Sequence, residues 1–347
     1  MADLDPRTVI ASWIVLDDPG TATAFPSVGS DSAAAEFQRV YWRCLAAFFV
    51  TARVHNPGLP LVLYANVDVA TAAPSEVVET MHAAGVVFRR LAITFRLPPG
   101  SVRHWGNQFY VLDVIRDFAA NGIGKALVLA DSDCVWRGSA DGIGAALDRH
   151  ECLLYTLAPD DQKGYEHGRL MNGMSLARMA EIARAEFGVG PDRRVQYHGG
   201  EFFAATRSFC RAIQPKVDVL WQRAQAEAML PDAIKEEAHF LSILAEGMVV
   251  TPGTGNAFVR RIWTNFEDLN AVPSDELLTL WHLPAEKRFG FRRLWQRLQA
   301  SRSDWRSFTP HEINRLTTRY MGVPRRTPEK LVLDIAEKLR ARVARAG

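Results

Sequence analysis

Apolar and polar positions alternate in blocks along the first half of the chain. Residues 7–15 (RTVIASWIV) form a β-branched run that predicts a strand, followed by a Pro/Gly/Ser-rich loop to about Ser32. From Asp31 to Val54 the apolar positions Phe37, Tyr41, Cys44 or Leu45, and Phe48 recur at helical spacing behind an Asp-Ser cap. Residues 59–67 return to an apolar run and predict a second strand. Residues 74–85 open on proline and close on glycine, the punctuation of a helix. Residues 86–93 predict a third strand, 105–122 a helix ended by Asn121-Gly122, and 125–130 a fourth strand. Strands alternating with helices predict an α/β domain with a largely parallel sheet covered on both faces.

Length and composition narrow this picture only slightly. At 347 residues, 48% hydrophobic and 23% charged, the chain has ordinary globular composition and room for one large core or two modest ones. No apolar run is long enough to predict a spanning helix, and the acidic N-terminus (MADLDPRTVIASW) lacks the pattern of a secretory leader. The four cysteines, Cys44, Cys134, Cys152 and Cys210, are scattered without a CxxC pair. They fit buried, reduced thiols and a cytoplasmic location better than a disulfide frame or zinc site. Charge is unevenly placed. From residue 285 onward there are 16 Lys/Arg against 6 Asp/Glu, leaving 25 against 33 in the rest. The expected organisation is a catalytic domain over 1–284, with a nucleotide half (1–136) and an acceptor half (137–284), and a basic helical extension over 285–347.

The fourth strand runs directly into Asp131-Ser132-Asp133. Two carboxylates this close repel each other and lose hydration if covered, so a cation belongs between them or one must keep a proton. Ligands of such sheets collect outside the carboxyl ends of strands. A hard divalent cation there would accept both carboxylates and leave coordination positions for phosphate oxygens. A solvated turn capping the next segment is the plainer alternative.

With the apolar strand before it, the Asp-x-Asp resembles the metal motif of GT-A-fold (Rossmann-related), nucleotide-sugar-dependent glycosyltransferases. Three later segments agree in order: YHGGEFFAATRSF (197–209), KEEAHFLSILAEG (235–247) and LWHLPAEKRFG (280–290). The Glu-Glu-x-His is similar to a segment of blood-group-type retaining enzymes, and the late histidine is similar to that of glycogenin-like ones. The resemblance spans roughly residues 7–290. It implies Mn2+ or Mg2+ held by Asp133, with Asp131 on a metal-bound water or the ribose, and His282 as a third ligand. It also implies transfer from a nucleotide sugar, a UDP-sugar first among them, to a glycan, lipid-linked or protein acceptor, as a hexosyltransferase with a retaining outcome. In that family a lysine follows the histidine by six positions to meet the diphosphate; here Lys287 stands five on and Arg288 six on.

Further candidates follow. A carboxylate serves both acceptor deprotonation and an oxocarbenium-like carbon. Glu237 is the candidate nearest the reacting carbon, against a plain helix-dipole role for it or Glu236. Glu201, a charge inside an apolar strand, should face the cleft or pair with an arginine. His198 and His239 are candidate sugar-hydroxyl contacts, and Gly199 and Gly200 would let backbone approach the donor sugar. Ser12, Trp13, Asp17 and Asp18 would cradle base and ribose, with Ser132, Arg103, Asn107 and Gln108 also within reach of the donor. Residues 157–173 read as a polar loop or a lid.

In the basic tail, Phe291, Leu294, Trp295 and Leu298 fall on one helical stripe. Such a helix either packs its stripe on the catalytic domain or lies on an anionic membrane as a peripheral contact. No nucleic-acid module accompanies the charge. Two other functions remain open. In a haloacid-dehalogenase-like phosphatase Asp131 would be the nucleophile and Asp133 the acid/base. A non-catalytic sugar-nucleotide binder would not need Glu237.

Overall fold

The computed structural model describes residues 5–25, 30–102, 104, 106–157, 168, 170–191, 194–248, 250–300, 305–332 and 334–336. Arg103 and most of the 157–173 segment lie outside these residues.

The strands are β1 (Asp5–Ile14), β2 (Leu61–Ala65), β3 (Val86–Arg90), β4 (Gly124–Ala130), β5 (Cys134–Trp136), β6 (Cys152–Thr156), β7 (His198–Thr206), β8 (Gly253–Thr254), β9 (Val259–Arg261) and β10 (Leu280–His282). Seven of them form the main sheet in the order β8-β6-β7-β4-β1-β2-β3. All neighbours in it pair in parallel except β7, which runs antiparallel to both β4 and β6. A smaller sheet, β9-β10-β5, stands beside the carboxyl end of β4. The four strands expected from the sequence are β1 to β4, and the sheet is mostly parallel, as the alternation predicts.

Both faces are covered. On one, α1 (Ala35–His55) and α2 (Ser75–Ala83) pack with Ile10, Leu61, Leu63, Ala126 and Val128. On the other, α3 (Tyr110–Asn121), α4 (Leu176–Phe187), α5 (Gln214–Ala226) and α6 (Glu237–Glu246) pack with Val9, Ala11, Val62, Leu127 and Leu129. Successive residues of β4 therefore enter opposite cores, which is why a strand with two buried faces reads as an unbroken apolar run. Every residue of α6 is buried, including Glu237, His239 and Ser242. Its polar side chains must find partners inside the protein.

The basic segment contributes α7 (Gly290–Ala300) and α8 (Pro310–Met321). Phe291, Leu294, Trp295 and Leu298 are buried in the same core as α1. Of the two arrangements expected for this stripe, the structure has it packed inward, so it is not presented to a membrane. No helix of the described residues is long and apolar enough to cross a membrane.

Candidate functional site

The site forms where β4 stops. Asp131 N–H donates to the Glu201 carbonyl at 3.1 Å, and Cys134 N–H donates back to the Asp131 carbonyl at 3.1 Å. That turn brings the two carboxylates to the carboxyl edge of the sheet. β5 then pairs antiparallel with β10, setting His282 opposite Cys134, and Leu283 N–H donates to the Asp133 carbonyl at 2.9 Å. Sheet register thus carries a histidine from late in the chain onto the acidic pair.

His282 Nε2 lies 3.2 Å from Asp133 Oδ2 and 3.8 Å from Asp131 Oδ2. One ligand atom from each of Asp131, Asp133 and His282 lies within 4.8 Å of the others. Two carboxylates and an imidazole at this separation are a donor set that fits a divalent cation. Lys287 Nζ, 2.7 Å from Asp133 Oδ2, competes for the same oxygen. Burial opposes ionisation of Asp133, but Lys287 and His282 outweigh it and hold its carboxyl well below the usual range. Burial and the charge of Asp133 push Asp131 up to about 7. Burial would lower His282, but Asp133 and Glu201 raise it to about 9.

Asp131, Asp133 and Lys287 line a cleft of about 610 Å³, open mouth included, together with Trp13, Leu16, Phe37, Tyr41, Asn107, Gln108 and Ser132 among others. At its back Asp17 is buried and saturated. Ser32 Oγ (2.8 Å) and Asn107 Nδ2 (2.9 Å) donate to Oδ2, and Arg96 donates to Oδ1 (3.0 Å). Asp18 is exposed, and Ser12 is buried within β1 rather than among the residues lining this cleft.

Glu201 and Glu237 occupy different environments. Glu201 is buried and pairs with Arg261, as a charge in that strand requires: Nε to Oε1 at 2.6 Å and NH2 to Oε2 at 2.7 Å. His282 Nδ1 lies 3.2 Å from the same Oε1. Both oxygens are therefore engaged within the protein, the arginine pairing being one of the two placements expected for this residue. Glu237 opens α6, and its Oε2 is buried without a hydrogen-bond partner among the described residues. Burial, then the charges of Glu236 and Asp131, raise its carboxyl well above the ordinary range.

The two glycines serve these carboxyl groups. A Cβ on Gly199 would stand 1.9 Å from Glu201 Oε2, and one on Gly200 1.9 Å from Glu237 Oε1. The expected approach of backbone to a sugar is met here by side chains filling that space.

The two histidines proposed for sugar contact sit in packing. His198 is buried: its backbone N–H donates to Ser242 Oγ at 2.8 Å, its ring Nδ1 lies 3.3 Å from Thr156 Oγ1, and burial lowers the ring to about 4. His239 is fully buried, and burial lowers it too. Its Nε2 donates to the Met171 carbonyl at 2.6 Å and lies 3.3 Å from Glu236 Oε1. Tyr197 and Asn172 also donate to Glu236.

Sequence reasoning did not find Arg261, Arg96, Ser32 or Tyr41. Arg261 had a signal, since a buried Glu201 demanded an arginine, but nothing in the sequence chose which.

No protein-family model matches the chain, and no curated protein matches its sequence. Solved structures resemble it in fold. A galactosyltransferase, LgtC, in complex with donor and acceptor sugar analogs aligns over 89% of this chain and 95% of its own, at 11% identity and a TM-score of 0.47. An active-site mutant of LgtC aligns over 79% and 86%, at 11% identity and a TM-score of 0.45. The bifunctional glycosyltransferase WbbM, of whose chain the match spans a little under half (46%), aligns over 81% of this chain at 9% identity and a TM-score of 0.45.

Proposed function

We propose that this chain is a glycosyltransferase that moves a sugar from a nucleoside-diphosphate-sugar donor, a UDP-sugar in the first instance, to an acceptor hydroxyl, with Mn2+ or Mg2+. The observation that carries this reading is the convergence of Asp131, Asp133 and His282, the first two lining a cleft that also holds Lys287 and the rings of Trp13 and Tyr41. A cation held by those three residues would act as a Lewis acid on the departing diphosphate. Lys287 adds a positive charge for phosphate oxygens once Asp133 is engaged elsewhere. Trp13 gives the base an aromatic wall, and the Asp17–Asn107–Arg96 network fixes the wall behind it. Glu237, a buried carboxyl whose proton is favoured by burial and by the charges of Glu236 and Asp131, is the group suited to exchange a proton at the reacting sugar. The retaining outcome is proposed from the likeness of Glu236-Glu237-x-His239 and of the late His282 to segments of retaining families.

The phosphatase alternative asks Asp133 to protonate a leaving group. Lys287 Nζ at 2.7 Å and His282 Nε2 at 3.2 Å favour the ionised form of that carboxyl, which disfavours the step.

The test incubates the purified chain with Mn2+ and a panel of UDP- and GDP-sugars and measures released nucleoside diphosphate. Release from one donor, lost in Asp133→Asn, is expected, with retained anomeric configuration by NMR in the transferred product. No release from any donor, or release unaffected by Asp133→Asn, would overturn the reading. An inverted product would overturn the retaining part alone.

A further inference from the structure

The strand that supplies Glu201 is irregular at one place. β7 pairs with β6 through His198–Thr156 and Gly199–Tyr155, and pairing resumes only at Phe203–Leu154. Gly200, Glu201 and Phe202 thus have no counterparts on β6, while β7 keeps regular pairing with β4 from Phe202–Ala130 onward. Bulges of this kind re-aim a side chain, and they concentrate beside active sites. Here the re-aimed side chain is Glu201. Its carboxylate lies over Gly199, where a Cβ would be 1.9 Å from Oε2 and 3.0 Å from the Arg261 guanidinium. The strand irregularity and the missing side chain together make room for the ion pair.

Glu201 reaches two of the three candidate metal-binding residues. Its carbonyl accepts from Asp131 N–H at 3.1 Å, and its carboxylate faces His282 Nδ1 at 3.2 Å. A carboxylate accepts only, so Nδ1 carries the hydrogen and Nε2 is the nitrogen directed at Asp131 and Asp133. Arg261 closes the arrangement by holding both Glu201 oxygens in a bidentate fork.

We infer that Glu201 and Arg261 are positioning residues for the cation: the pair fixes the ring orientation and tautomer of His282 so that Nε2 completes the site. The inference rests on the metal site proposed above and goes beyond it by assigning work to two residues that do not reach the cleft's ligand atoms. Outer carboxylates of this kind are worth about 10- to 100-fold in metal affinity where they have been removed from histidine ligands.

The test uses the full chain and Mn2+ alone, with free Mn2+ read by electron paramagnetic resonance, so no donor or turnover is needed. Removing one partner would strand a buried charge and could unfold the protein, so the informative variant is the double Glu201→Leu/Arg261→Met, which removes both charges. It is expected to fold, judged by circular dichroism and urea unfolding, and to bind Mn2+ about 10- to 100-fold more weakly. Glu201→Gln/Arg261→Met, which restores an acceptor for Nδ1 without charge, is expected to recover most of that loss. A folded Leu/Met variant with wild-type Mn2+ affinity overturns the positioning role and leaves the metal site standing. Failure of the Gln-containing variant to recover affinity likewise overturns it. Absence of Asp133-dependent Mn2+ binding in the wild type overturns the metal site and this inference with it.

Discussion

Substituting Lys287 by Met separates its two tasks. Its Nζ is 2.7 Å from Asp133 Oδ2, with the side chains 9% and 2% exposed. At an effective dielectric of about 20, unit charges at such a separation attract by about 6 kcal/mol. Desolvation of the ammonium takes back part of this, and His282 continues to compensate Asp133 after the substitution. The metal-free variant should therefore lose about 3 kcal/mol, the low end for stranding one member of a buried pair. Addition of Mn2+ should then favour the variant. Lys287 occupies an oxygen that the cation needs, so its removal strengthens Mn2+ binding, and binding stabilises the fold by RT ln(1 + [Mn2+]/Kd). Nucleoside diphosphate should show the opposite trend, weakening in Lys287→Met with Mn2+ present, because the cation freed to meet phosphate is gone. Urea unfolding followed by tryptophan fluorescence, with EDTA and with Mn2+, measures the first two effects, and calorimetric titration with UDP measures the third. A loss below about 1 kcal/mol in EDTA, or equal Mn2+ gains in variant and wild type, would refute the reasoning.

Three further outcomes are expected. Glu237→Gln should lower sugar transfer by about 100-fold or more while UDP affinity stays unchanged; a parallel fall in both would make Glu237 part of the donor seat instead. Gly200→Ala puts a Cβ 1.9 Å from Glu237 Oε1 and should cost about 1–3 kcal/mol in urea unfolding. Adding Glu237→Ala should relieve part of that cost, and strict additivity of the two would show that they do not meet. Burial holds His198 at about 4 against an ordinary 6.5, so its folded value lies below its unfolded one. Its contribution is complete above pH 6.5 and is lost as pH falls towards 4, spanning about 3 kcal/mol. His198→Gln should flatten the stability-pH curve in that window, and an unchanged slope would exclude His198 as its source.

The same physics explains which parts of the protein were legible in its sequence. β1, β2 and β4 were visible because strands covered on both faces are mostly apolar, so their runs and glycine or proline borders stand out; β3, at the sheet edge and ending in Arg89-Arg90, showed a shorter apolar run behind Gly85. The acidic pair was visible for the converse reason: Asp131 and Asp133 end such a run where covering two carboxylates is costly. Element ends were less legible. The helix expected from Trp105 begins at Tyr110, since turns occupy 106–109 and Asn107 is drawn aside to donate to Asp17.

What sequence could not supply was pairing over distance. Glu201 needed a partner, but Arg261 stands 60 positions away, beside an equally basic Arg260 that turns instead to Asp275 at 2.7 Å. Neighbours on a strand face opposite sides, so the choice between two adjacent arginines is a choice of register, fixed by the β9–β10 pairing and invisible locally. The same holds for Lys287 and Arg288. By the resemblance, spacing matched Arg288 and residue type matched Lys287, so the sequence did not decide between them; the turn after His282 buries Lys287 against Asp133 and leaves Arg288 exposed, 3.3 Å from Glu36. The chemistry at this site was therefore legible as a list of residue types, and its geometry was not: which carboxylate meets which cation is decided by strand register and by a bulge whose glycines leave room for the carboxyl groups.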